Sequence, residues 1–326
     1  MLFRSTRTEL ESLELLGSSL SLRRDLETLT DLVEINAILG QSVQAAELEA
    51  QISALEATLL NTVQSLTPLT TDVVQVAAFN TKRDELIADF KAQQGESSLQ
   101  NKSALMEKLL NKAQTFSKVI ASQAGLSQDD TSDVRQLIEL VTSVTPMVTQ
   151  MIGDGRAMGS YSLGQGVLNS SASTRFDELL QNLEKLQADY GLKLQDAMDA
   201  SPAVRKALEA LAKASLGTLK QSSELFEEQV VSADTLDMPW QKFYQHTTGL
   251  MAQTYQLNDA TLGFLNQELQ GRLVQNRSHM MLLVTALAVV FFLVFYLYGG
   301  FYASTRTTLK RLDRKSTRLN SSHPLD

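Results

Sequence analysis

Residues 280–301 read Met-Met-Leu-Leu-Val-Thr-Ala-Leu-Ala-Val-Val-Phe-Phe-Leu-Val-Phe-Tyr-Leu-Tyr-Gly-Gly-Phe, a run of 22 without a charge. At about 1.5 Å rise per residue, a helix of that length covers roughly 33 Å, enough for a bilayer core of about 30 Å. Apolar runs in the buried helices of soluble proteins are usually shorter and interrupted, so the run predicts a transmembrane helix. Tyr296, Tyr298 and Tyr302 cluster at one end, where amphipathic rings favour the headgroup zone. Beyond them stand Arg306, Lys310, Arg311, Arg314, Lys315 and Arg318 against Asp313 and Asp326. An excess of basic residues marks the cytoplasmic side. The expected organisation is an extracytoplasmic segment over 1–279, a membrane helix in lipid over 280–302 and the start of a cytoplasmic linker over 303–313.

The outer segment is long enough for a sizeable core, as one elongated domain or as two stacked four-helix modules. Taking the six basic and two acidic residues after Phe301 from totals of 29 and 37 leaves 23 against 35, a net charge of about -12. Such a surface argues against nucleic acid, which rewards basic patches. With no cysteine, disulfides, thiolate nucleophiles and cysteine-ligated metals are excluded. Five prolines, 16 glycines and abundant Leu, Ala, Gln and Glu favour an all-α chain, an antiparallel helical bundle followed by the membrane helix. Export of so long a segment ahead of a lone membrane helix needs an earlier start signal, which Met1-Leu2-Phe3-Arg4 does not supply. A first membrane helix is therefore expected just before Leu2. The stretch 314–326 resembles translated sequencing adapter and is set apart from the fold, with a cytoplasmic module expected after Asp313.

Leu10, Leu13, Leu16, Leu20, Leu22, Leu26, Leu29, Val33 and Ile35 recur at mostly helical spacing and predict a helix over 3–39, stopped at Gly40. Leu48, Ile52, Leu55, Leu59, Val63 and Leu66 give a second, ending before Pro68. A third is expected over 72–94 and a fourth over 98–122, and short connections make antiparallel neighbours the default. The acidic stretch 128–133 suits the start of a fifth helix, which Pro146 should bend. Residues 152–166, with glycines at 153, 155, 159, 164 and 166, are the least regular part of the chain: they weaken helix or let backbones approach closely. Helices restart near Ser173, at Ser201-Pro202 and at Asp237 with Pro239. The last meets no proline from Trp240 to Met280 and is expected to run straight into the membrane.

No catalytic signature is present: there is no phosphate-cradling Gly-rich loop, no Gly-x-Ser-x-Gly elbow and no His-Glu-x-x-His. Three histidines, His246, His279 and His323, make no metal cage, and no cofactor or enzyme activity is expected. Arginine holds small anions such as nitrate or carboxylates through its planar fork. Candidates are Arg23 and Arg24 in the first helix and Arg156 beside the glycines; the alternative is surface pairing with carboxylates. Trp240, Phe243 and Tyr244, at the head of the last helix, either clamp a ligand or pack as core.

Phe243-Tyr244 with Thr247-Thr248, then Leu262, Leu265, Arg272 and the run Tyr296-Leu297-Tyr298-Gly299-Gly300-Phe301-Tyr302-Ala303-Ser304 with Thr308-Leu309 and Leu312, carry a resemblance. Over 240–311 the chain resembles the second half of the sensory region, second membrane helix and HAMP entrance of bacterial methyl-accepting chemotaxis receptors and related diguanylate cyclases. Thr6-Arg7-Thr8-Glu9 and Met151-Ile152-Gly153 with Arg156 fit the same pattern. The resemblance implies a helical periplasmic sensor in the inner membrane, a homodimer, a small ligand and a cytoplasmic output module or histidine kinase partner. Where nitrate-sensing relatives carry His-Arg-Gly in the first helix, this chain has Leu29-Thr30-Asp31.

Overall fold

The computed structural model describes residues 2–39 and 43–320, and among them the chain is 90% helical with no strand. The helices are α1 (Leu2–Leu39), α2 (Val43–Ser65), α3 (Val73–Gln94), α4 (Leu99–Gln123), α5 (Ser132–Glu139), α6 (Thr145–Gln165), α7 (Ser170–Asp199), α8 (Pro202–Phe226) and α9 (Trp240–Asn320). Gly40, read as a helix stop, lies outside the described residues, as do 321–326 of the tail. Two compact units are formed: Arg4–Gln270, and a second built on the part of α9 from Gly271 onward.

Side-chain chemistry sets the helix starts. Asp72 accepts from the backbone N–H groups of Val74 and Gln75, Ser98 from Asn101, Asn169 from Ala172 and Ser201 from Val204, each satisfying donors that the first turn leaves orphaned. Pro202 follows Ser201 in the first turn, where its missing N–H costs nothing.

Within Arg4–Gln270 neighbouring helices pack antiparallel, while α5 continues into α6 in one direction. Phe79 of α3 stacks on Phe116 of α4 at 4.9 Å, while Asp89 meets Lys108 at 3.1 Å, so α3 and α4 are antiparallel. Tyr190 of α7 bonds Ser215 of α8 at 2.7 Å, and Ser215 in turn reaches Thr254 of α9 at 2.8 Å. Gly17 of α1 faces Leu262 of α9, while Ile38 and Trp240 both reach Gly164, so α1 and α9 are antiparallel. One hydrophobic core runs through this unit, from Leu13 and Leu16 to Leu265 and Leu269. On α9 it alternates Phe243, Leu250 and Leu257 with Thr247, Thr254 and Thr261, all buried. Thr247 and Thr261 donate to the carbonyls of Phe243 and Leu257 four residues back, so their hydroxyls sit in the core satisfied.

Two local expectations are modified. Pro146 is accommodated by a five-residue π turn, Leu140–Val144, between α5 and α6. Proline has no N–H to donate, and the carbonyls of Thr142 and Ser143 accept instead from Gln114 Nε2 at 3.4 and 3.5 Å. The glycine stretch is regular helix up to Gln165, with Gly166 at φ 68° closing α6. Its glycines permit close approach: a Cβ on Gly155 would lie closer than 3.0 Å to the Phe226 ring, and one on Gly159 equally close to Phe243. Burying two aromatic rings this way outweighs glycine's helix penalty of about 1 kcal/mol per residue.

The other unit is different in kind. Every residue over 280–310 is exposed, Phe292 by 76% and Tyr296 by 79%. Each large apolar side chain left in water forgoes about 1.5–3 kcal/mol, so this run requires apolar surroundings, and it is long and apolar enough to cross a membrane.

Substituting Gly155→Ala or Gly159→Ala should lower unfolding stability by about 1–3 kcal/mol through overpacking. Gly249→Ala on the exposed face of α9, where nothing lies within 4 Å, should raise it by about 0.5–1 kcal/mol. Denaturant unfolding of the full chain in micelles, followed by circular dichroism, checks the opposite signs.

Candidate functional site

The apolar stripe of α1 is interrupted by charged residues at four-residue spacing, Arg23, Glu27 and Asp31, each no more than 5% exposed. Four residues is just over one helical turn, so all three lie along one face. Opposite them come Thr149 and Arg156 of α6 and Tyr244, Thr248 and Tyr255 of α9.

The first layer is built on Arg23. Its guanidinium pairs with Glu27 and donates to Thr149 Oγ1 at 3.2 Å and to the Pro146 carbonyl at 2.9 Å. Thr149 Oγ1 lies 2.8 Å from Glu27 Oε1, and the Tyr255 hydroxyl donates to the other Glu27 oxygen. Burial and the neighbouring Glu27 carboxylate push the Tyr255 phenol well above its ordinary value, so it stays protonated and able to donate. Arg24, half exposed, covers the outer face of the Tyr255 ring at 4.4 Å and stands 3.8 Å from Asp259.

The second layer lies two helical turns further along α1. Arg156 pairs with Asp31, donates to Thr248 Oγ1 at 2.7 Å and stacks over the Tyr244 ring at 4.8 Å. Burial pushes Asp31 up to about 8 against the pull of Arg156. Tyr244 is pushed up to about 12, again chiefly by burial. The Nε atoms of Arg23 and Arg156 are buried without partners, so neither layer is fully satisfied.

Arg23, Arg24 and Arg156 thus come together along the α1–α6–α9 seam, but both buried guanidiniums already hold carboxylates of their own chain. An external anion would have to displace Glu27 or Asp31. Phe243 is wholly buried between Gly159 and Phe226, and Trp240 packs on the core, while Tyr244 serves Arg156. Glu27, Thr149 and Tyr255 are not singled out from the sequence, and Asp31 and Thr248 enter there only through the resemblance, with no role in a site. Charged residues at 23, 27 and 31 on an apolar helix face were the available signal. Their partners 122 to 228 residues away carried none.

Comparison with models of known protein families, with characterised proteins and with solved structures gives no match.

Above pH 8, where Asp31 is ionised, Asp31→Ala leaves Arg156 as an uncompensated buried cation and should cost about 3–5 kcal/mol of unfolding stability. Because the folded-state value of Asp31 lies above its unfolded value of 3.8, the folded chain binds the extra proton between pH 4 and about 8, and this contribution to stability is lost as pH rises through about 8. Asp31→Asn should reduce that slope, leaving the share of Asp154, which burial pushes up to about 7, while costing less than Asp31→Ala at pH 6. Unfolding curves from pH 5 to 9 read both effects.

Proposed function

We propose that the chain is the sensing and membrane-crossing part of a bacterial transmembrane signal receptor, with 1–279 outside the inner membrane. Occupancy or rearrangement in the bundle displaces α9, and α9 delivers the displacement to a cytoplasmic output module or histidine kinase. The observation that carries this reading is the membership of α9. One helix supplies Tyr244 and Tyr255, and Thr248 at the rim, to the polar array around Arg23 and Arg156 and also holds the charge-free run 280–301. The basic residues Arg306, Lys310 and Arg311 support the cytoplasmic side, and the resemblance over 240–311 supports the receptor class and a homodimer.

Interfaces held by a few discrete polar contacts shift between arrangements rather than deforming continuously, and a partly satisfied array has small differences between such arrangements. The array is therefore the element on which a bias would act. The competing reading is a passive spacer or dimerisation module, in which these contacts only hold the bundle together.

The chain contains no cysteine, so an introduced pair reports alone. A Cβ at Gly17 would meet Leu262 Cδ1 at 3.8 Å, so the two positions face each other across α1 and α9, and a Gly17→Cys, Leu262→Cys pair reports their separation. In the full chain in nanodiscs, Tyr255→Phe should change the rate of disulfide formation several-fold without unfolding the bundle. An unchanged rate favours the passive module.

A further inference from the structure

A cleft of about 530 Å³ opens between α4 and the segment from α5 into the π turn, within the roughly 300–1,000 Å³ of small-molecule sites. It is lined by Lys118 and Ser122 of α4, Ser127 of a 3-10 turn (Leu126–Gln128), Ser132 and Arg135 of α5, and Thr142 and Ser143 of the π turn. On an outer segment carrying about 12 net negative charges, two cations beside five hydroxyls stand out. Lys118 has no ion pair among the described residues. Arg135 is braced at one edge by donating to the Asp129 carbonyl.

Glu139, Asp129 and Asp133 nearby each have contacts of their own. Glu139, which also lines the cleft, is held by Lys193 at 2.9 Å. The Asp129 carboxylate turns back onto Thr131 at 2.7 and 2.8 Å, and Asp133 accepts from the Val134 N–H at 2.9 Å. Gln136 Oε1 is buried in the wall with no donor facing it. That oxygen calls for a donor, which a ligand hydroxyl supplies.

We infer that this cleft is a binding site for a small hydroxylated oxyanion, a carboxylate or phosphate bearing hydroxyl groups. Arg135 and Lys118 take the charged oxygens, one as a planar fork and one as a point charge, while the serines and Gln136 take the hydroxyls. The π turn forming the far wall is a geometry that recurs at functional sites. It leads directly into Pro146 and Thr149, which Arg23 holds, and thence through Glu27 to Tyr255 of α9. That onward path, though not the site itself, rests on the receptor reading.

The test is calorimetric titration of the full chain in lipid nanodiscs with inorganic phosphate, citrate and gluconate, and with glycerol as the uncharged control. Saturable binding of at least one anion is expected, weakened about tenfold or more in both Lys118→Ala and Arg135→Ala, with the unfolding temperature unchanged. Lys213→Ala, on the exposed face of α8, should leave binding as it was. Phosphate binding without citrate or gluconate assigns a phosphate ligand, and the reverse a hydroxycarboxylate. No saturable binding of any of the three anions, or binding that survives both cleft substitutions, overturns the site. Binding that leaves the Gly17→Cys, Leu262→Cys cross-linking rate unmoved keeps the site and counts against the receptor reading.

Discussion

Two arginine–carboxyl pairs buried on the α1–α6–α9 seam set the terms for the rest of the molecule. Desolvating these groups is expensive, enough to raise Asp31 to about 8, and their mutual attraction offsets the cost only while the surrounding hydrogen bonds hold. Arg23 and Glu27 are both on α1 and would pair in any isolated helix; burial gives that pair its significance. Once dehydrated, the pair needs Thr149 and the Pro146 carbonyl from α6 and the Tyr255 hydroxyl from α9. Asp31 has no partner on its own helix and depends on Arg156 of α6, which depends in turn on Thr248 and Tyr244 of α9. Apolar packing alone would tolerate continuous sliding of α9 along α1; these contacts restrict it to discrete registers.

The glycines and aromatics of α6 and its neighbours make the observed register reachable. Gly155 and Gly159, one turn apart, let Phe226 and Phe243 press against the α6 backbone, and the close approach brings Arg156 within reach of both Asp31 and Thr248. The π turn before Pro146 plays the complementary part. It absorbs the missing donor so that the Pro146 carbonyl can face Arg23.

Much of the fold was legible in the residues. Asp72, Ser98 and Ser201 mark helix starts by chemistry that acts within three residues, and the leucine stripe of α1 fixes its length. The glycine stretch was the least legible part because local propensity and tertiary packing point in opposite directions there, and two phenyl rings 71 to 84 residues onward decide the outcome. The site was half legible. Arg23 and Arg156 were recognisable as guanidiniums in unusual company, but a buried ion pair is a property of two helices, and no periodicity in α1 announces α6 as its partner. The charge-free run of α9 needed no such partner to be recognised, since length and composition decide it alone.

The central claim is that the buried polar array makes α1, α6 and α9 one cooperative element. Hydrogen exchange of the full chain in nanodiscs, comparing the native sequence with Arg156→Met, tests it most directly. The account predicts faster exchange in all three helices together, including α9 amides from Phe243 to Tyr255, while α2 and α3 keep their protection. Acceleration confined to α6 around the substitution would contradict it.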